Sequence, residues 1–307
     1  MKTPWLACAA VALAALSARA VLAADPPRRA SARAERQRDD RPREEEDDDG
    51  SRDASDAPAA RKATLAVMGP VRLRLSLQSG RVSVSATGKQ EVDATVSGGG
   101  GVRLSLSGDR VEVRLSGAGR HRDGRLRLEV PKGTAVELET LSADVEVEGT
   151  GAEVRVHTLS GDVRVSGCAA ATLETVSGDL EVEGATGPVR VHTVSGEAEV
   201  SQEGPGQSQL EFESTSGDLR WSGACGQGCR LDAQTLSGNL RLALAPQSGF
   251  ELSFSTRSGE VHDRFGLTAR TTKRGRRHGL EAKAAEGEGR IECDTFSGDL
   301  ELARTGK

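Results

Sequence analysis

Thr158-Leu-Ser-Gly-Asp162, Thr175-Val-Ser-Gly-Asp179 and Thr193-Val-Ser-Gly-Glu197 decide the fold, because one five-residue unit returns at nearly constant spacing. Thr140-Leu-Ser-Ala-Asp144 precedes them. Ser214-Thr-Ser-Gly-Asp218, Thr235-Leu-Ser-Gly-Asn239, Thr256-Arg-Ser-Gly-Glu260 and Thr295-Phe-Ser-Gly-Asp299 follow. Successive copies start 18, 17, 18, 21, 21, 21 and 39 residues apart. A period near 20 marks an architecture of stacked repeats.

Alignment on the first residue of the unit yields apolar columns. Four residues before it stand Val136, Val154, Ala171, Val189, Leu210, Leu231, Leu252 and Ile291. Two before it stand Leu138, Val156, Leu173, Val191, Phe212, Ala233, Phe254 and Cys293. Five after it the column reads Val145, Val163, Leu180, Ala198, Leu219, Leu240, Val261 and Leu300. This is alternation with period 2 on both sides of a Ser-Gly corner, so each copy is two short strands joined by a tight bend. One copy cannot bury its apolar face, whereas a stack buries one continuous core. The expected fold is all-β, a single-stranded parallel β-solenoid of T-x-S-G-D repeats. Aromatic residues are only 2% of the chain and Tyr is absent, which suits a narrow interior filled by Val, Leu and Ala.

The first 133 residues divide in three. Lys2 and the apolar run Leu6 to Leu16, followed by Ala18-Arg19-Ala20 or Leu22-Ala23-Ala24, read as a signal peptide over 1–24, with no membrane span left in the mature chain. Residues 25–62 carry blocks of Arg and the acidic run Glu44 to Asp49 without an aromatic residue, the composition of a disordered charged linker. Residues 63–133 keep Ser-Gly corners at Gln78-Ser79-Gly80-Arg81 and Leu106-Ser107-Gly108-Asp109 with irregular spacing, so the repeat domain is expected over 63–305 with a degenerate capping end.

The 39-residue interval fits one ordinary copy plus an excursion, expected as a protruding hairpin near 264–288. Its tip would carry Lys273, Arg274, Arg276 and Arg277. That cluster is either an anion-binding site or a solvated turn. Of the five Cys, Cys225 and Cys229 flank a Gly-rich loop and are expected as a disulfide, with zinc binding as the alternative.

Two stacked polar columns invite a metal. Asp144, Asp162, Asp179 and Asp218, with Glu197 and Asn239, would lie about 4.8 Å apart from copy to copy. They form either a calcium row or a set of side chains each bracing its own bend. No other cofactor is indicated. His157 and His192 share a column with Glu174 between them, so two copies, about 9.6 Å, separate them and no single metal joins them. The alternation Glu139, His157, Glu174, His192, Glu213 reads instead as charge pairing on an outer face.

The recurring T-x-S-G-D-x-x-V unit behind an export signal resembles the DUF4097 family, bacterial β-strand repeat proteins designated as adhesins, over roughly residues 63–305. The resemblance implies a parallel β-solenoid and adhesion at the cell surface, and it brings no catalytic residues.

No catalytic residues are expected. The Ser residues before Gly serve the bend in every copy, and the carboxylates are repeated without a distinguished pair. A formal net charge of -5 gives no pull toward nucleic acid. The expected function is that of an exported non-enzymatic scaffold binding a macromolecule at the cell envelope or surface. The alternatives are an envelope stress or assembly factor acting through the basic hairpin, and a polysaccharide-active enzyme.

Overall fold

The computed structural model describes residues 61–98, 100–116, 124–204, 207–274, 277–284 and 288–305, and among them there is no helix. The segments read as signal peptide and linker lie outside these residues up to position 60. The unit described spans the compact body Ser55–Lys307.

Among the described residues there are twenty-one strands. The N-terminal part holds β1 (Lys62–Ala66), β2 (Arg72–Thr87), β3 (Glu91–Ser97), β4 (Gly101–Ser107), β5 (Arg110–Ser116) and β6 (Arg125–Pro131). The middle holds β7 (Ala135–Glu148), β8 (Glu153–His157), β9 (Val163–Ser166), β10 (Ala170–Ser177), β11 (Leu180–Ala185), β12 (Val189–Gln202) and β13 (Gln209–Gly223). The C-terminal part holds β14 (Arg230–Ser237), β15 (Leu240–Leu244), β16 (Phe250–Thr256), β17 (Val261–Asp263), β18 (Thr268–Arg274), β19 (Arg277–Ala284), β20 (Gly289–Ser297) and β21 (Leu300–Arg304). Strand β1 starts at Lys62, inside the stretch read as linker.

The middle copies pair parallel and in the register of the sequence columns. Val154 lies beside Val136 and Ala171, and Val189 beside Ala171 and Leu210. Strands β7, β12 and β13 run through the bend, so one strand contributes to both sides of its copy. The aligned Val, Leu and Phe positions are buried in one hydrophobic cluster, Val261 packing against it partly buried. Full burial of such a side chain contributes on the order of 1.5–3 kcal/mol. Trp221, 1% exposed, is the largest fully buried side chain of the cluster, and its indole N–H donates to Gln202 Oε1 at 3.0 Å.

The sheet as a whole is mixed, which corrects the expectation of uniformly parallel pairing. At the N-terminal end β2 stacks parallel on β7, with Ser79 beside Ser142. Beyond β2 lie β5 and β6, and on their far sides β4, β3 and β1 pair antiparallel. Thus Gln78-Ser79-Gly80-Arg81 is a true corner, but Ser107-Gly108-Asp109-Arg110 is not. Ser107 and Arg110 are cross-strand partners, which makes Gly108-Asp109 the two-residue turn of a hairpin, with Gly108 at φ +64°.

The C-terminal end departs from sequence order. Strand β20 pairs with β14 on one side and β16 on the other, and β21 lies likewise between β15 and β17. The Thr295 copy is therefore inserted between the Thr235 and Thr256 copies. The excursion is a hairpin, β18 against β19, but it does not protrude. Strand β19 pairs antiparallel along β16 from Phe250–Ala284 to Thr256–His278, with Ala282 and Ala284 buried. An uncovered β16 would present a row of unpaired backbone groups to solvent, and the hairpin occupies that edge.

Candidate docking face at the repeat corners

The corner is built from the Thr upward. Thr158, Thr175 and Thr193 are buried, and each hydroxyl donates to the carbonyl of the Ser two residues on, at 2.9, 3.2 and 2.9 Å. The following Gly161, Gly178 and Gly196 sit at φ +116°, +136° and +120°. A second corner form occupies the C-terminal copies. There the hydroxyls of Ser214, Thr235, Thr256 and Thr295 are buried with no hydrogen-bond partner, and Gly217, Gly238, Gly259 and Gly298 are absent from the positive-φ glycines. An open groove of about 830 Å³ lies over these corners. Asp218, Asn239, Glu260 and Asp299 line it with Arg257 and His278.

The corner acids link neighbouring copies. Asp162 Oδ1 accepts the Asp179 amide at 3.2 Å, and Asp179 Oδ1 accepts the Glu197 amide at 3.0 Å. Asp218 Oδ1 accepts from Asn239 at 2.7 Å, Asn239 Oδ1 from Asp299 at 3.2 Å, and Asp299 Oδ1 from Glu260 at 2.7 Å. The partner is thus the bend of the next copy rather than the residue's own. Asp144 differs: its carboxylate meets Arg81 at 3.2 Å. Among the described residues no group of three or more His, Cys, Asp or Glu is placed to hold a metal ion.

The position between Thr and Ser was the feature the column alignment passed over. It carries Leu141, Leu159, Val176, Val194, Thr215, Leu236 and Phe296 in spatial order, ending at Arg257. Leu141, Leu159, Val194, Leu236 and Phe296 are between 38% and 49% exposed. They form an apolar ridge along the stack, closed by the Arg257 guanidinium 5.1 Å from the Phe296 ring centroid. The signal was present in the sequence as the identity of x in T-x-S-G-D.

The ridge is flanked by charge. On one side the column before Thr holds Glu139, Glu174, Glu213 and Asp294 with His157 and His192. On the other runs the corner-acid column. From the Thr140 copy to the Thr256 copy neither column contains Lys or Arg. The outer stripe pairs along the stack as its alternation implied: His157 Nδ1 meets Glu174 at 2.9 Å and His192 Nδ1 meets Glu213 at 3.2 Å. Further out, Arg164 meets Glu181 at 2.7 Å, and that hydrogen bond raises the guanidinium pKa above its ordinary value. Arg155 turns instead to Glu153 of its own strand.

Elsewhere, Cys225 and Cys229 are joined in a disulfide. It lies where the inserted strand enters: the Gly249 amide donates to Cys225 O at 2.9 Å, and the Arg290 amide to Cys229 O at 3.0 Å. Cys168 and Cys293 are free and buried, and desolvation pushes both thiol pKa values up. Of the basic hairpin tip, Lys273 lies opposite His278 and Arg274 opposite Arg277 in the backbone register. Arg276 lies outside the described residues, as do the side chains of the other three.

The family model described as Toastrack DUF4097 matches residues 71–303. The chain belongs to this family. The Toastrack match takes in every corner from Ser79 to Ser297. No curated protein matches the chain. Among solved structures, the chain is similar to a candidate adhesin from Bacteroides fragilis, at 10% identity and a TM-score of 0.40, covering 78% of this chain and 95% of that one. A candidate adhesin from Parabacteroides merdae aligns at 10% identity and a TM-score of 0.30 over the same shares. A candidate lipid-binding protein from Parabacteroides distasonis aligns at 8% identity and a TM-score of 0.32, again over 78% and 95%. No helix among the described residues is long and apolar enough to cross a membrane.

Proposed function

We propose that this chain is an exported, non-enzymatic repeat scaffold that holds a macromolecular partner at the cell envelope through the corner ridge, in the manner of an adhesin. The architecture that goes with this reading is a coil of T-x-S-G-D copies running parallel, closed at each end by antiparallel strands. The observation that carries it is the ridge. A folded domain exposes scattered apolar residues without consequence, but an apolar row rimmed by polar residues, broken here only at Thr215, marks an interaction surface. Membership of the family and an equivalent carboxylate at nearly every corner favour binding over catalysis, since catalysis needs a distinguished pair in its own setting.

The test is retention of the full chain on envelope fractions, compared with a Leu141→Ser/Leu159→Ser/Leu236→Ser variant. The three positions are exposed, so the variant keeps its fold, checked by Trp221 fluorescence. Loss of retention is the expected result, and equal retention would refute the reading. A Lys273→Glu/Arg274→Glu/Arg277→Glu variant is the comparison. If it alone loses retention, the partner belongs to the basic tip. Cleavage of acidic polysaccharides by the purified chain would overturn the non-enzymatic part.

A further inference from the structure

We infer that the partner seated on the ridge is a cationic amphipathic α-helix lying along the stack. This rests on the docking role of the ridge proposed above and names its occupant. Two features select it, one electrostatic and one geometric.

The electrostatic feature is the sign of the flanks. Both columns beside the ridge carry carboxylates and neither carries Lys or Arg between the Thr140 and Thr256 copies. Asp162, Asp179, Asp218 and Asp299 each accept a backbone amide through Oδ1. Among the described residues these four have no Lys or Arg within salt-bridge distance, whereas Glu139, Asp144 and Glu197 of the same columns are already paired with Arg74, Arg81 and Arg220. A partner with Lys or Arg on both sides of an apolar stripe meets this pattern. An anionic lipid surface or a nucleic acid presents the wrong sign. A second copy in the same orientation sets acid against acid.

The geometric feature is the repeat. The ridge takes six steps from Leu141 to Phe296, each one parallel-strand spacing of about 4.8 Å, hence about 29 Å in all. An α-helix presents an apolar side chain on one stripe every turn, about 5.4 Å, so six turns run about 32 Å and stay within about 3–4 Å of the ridge. An extended strand presents same-face side chains roughly every 6.6 Å, so it drifts by the same about 3–4 Å after only two steps and by about 11 Å after six. Polyproline II, with about 9.3 Å per turn, matches worse. At the far end Arg257, stacked on Phe296, bounds the apolar row and sets the length a partner helix covers.

The experiment titrates the full chain with three synthetic probes: an 18-residue Leu/Lys amphipathic helix, its Leu/Glu counterpart, and a Leu/Lys peptide of alternating, strand-forming pattern. Two protein variants accompany them. Leu141→Ser/Leu159→Ser/Leu236→Ser removes the apolar row. Asp162→Asn/Asp179→Asn/Asp218→Asn removes charge and keeps the amide acceptor, as Asn239 already does in the native stack. The expected result is that the Leu/Lys helix binds at least about tenfold tighter than either other probe. Each variant weakens it by about tenfold or more, the size of loss that marks central interface residues. Binding also weakens from 0.15 to 1 M salt, as the screening length falls from about 8 to 3 Å.

Equal or tighter binding of the Leu/Glu helix, of the alternating peptide, or of vesicles rich in anionic lipid overturns the inference. So does ridge-dependent dimerisation of the chain without any probe. If the Leu-to-Ser variant loses envelope retention while the Leu/Lys helix fails to bind, the docking role stands and its occupant is a different chemistry.

Discussion

Gly178→Ala, set against Gly149→Ala, isolates the close approach of neighbouring copies. Gly178 sits at φ +136° in the corner of the Thr175 copy. A Cβ there would lie 2.3 Å from the Gly161 carbonyl oxygen and 2.9 Å from its carbon. Both atoms are backbone of the adjacent copy, so no side chain can swing away and the two copies must separate. Gly149 is also left-handed, at φ +64°, but a Cβ there meets nothing within 4 Å. The control substitution therefore carries backbone strain alone, about 1–2 kcal/mol. Gly178→Ala carries about 1–3 kcal/mol of strain and a further 1–3 kcal/mol from overpacking, together about 2–6 kcal/mol. At about 2–4 °C per kcal/mol for a body of this size, the control shifts the midpoint by roughly 2–8 °C and Gly178→Ala by roughly 4–24 °C. Urea and thermal melts followed by Trp221, two copies along the stack, measure both. The Thr140 copy carries Ala143 at this position, so one corner of the stack already accommodates a Cβ. If Gly178→Ala is as mild as Gly149→Ala, the corners relax into it freely and the close-approach argument is wrong.

Three further outcomes follow from the geometry. Asp179→Ala removes the acceptor for the Glu197 amide and is expected to lower stability by about 0.5–1 kcal/mol at that exposed site, whereas Asp179→Asn retains most of it; equal melts for the two would show that the link contributes nothing. Reducing the Cys225–Cys229 disulfide is expected to accelerate hydrogen exchange at the Gly249 and Arg290 amides while leaving Val191 protected, and uniform acceleration would contradict a local role. The Cys168 and Cys293 thiols, desolvated and pushed up in pKa, are expected to resist iodoacetamide until denaturant is added, and rapid native labelling of either would show that its copy opens.

The interior was legible because period-2 alternation and a repeat of near-constant length admit one register. Val136 beside Val154 and Leu210 beside Val189 follow from the alignment alone. What escaped was adjacency. T-x-S-G-D specifies a corner, and any corner stacks on any other. Nothing local to Thr295 says that it joins Thr235 rather than Thr256, and it pairs with both neighbours' strands. Ser107-Gly108-Asp109 failed differently. Its residues suit a solenoid corner and a two-residue hairpin turn equally, and the antiparallel partner of β4 decided the matter. The candidate site was half legible. Corner acids were visible, but their link to the next copy depends on a distance that only stacking creates. The ridge was overlooked because its Leu and Val fall outside the inward phase of the alternation.

The placement of β20 has a temporal meaning. A ribosome delivers β14 and β16 before β20, the strand that pairs with both of them. Residues 289–304 supply the strands that lie between the two, so this late stretch works as a keystone. A nascent molecule halted before residue 289 would lack the strand that both β14 and β16 pair with, leaving raw edges recognisable to proteases and chaperones.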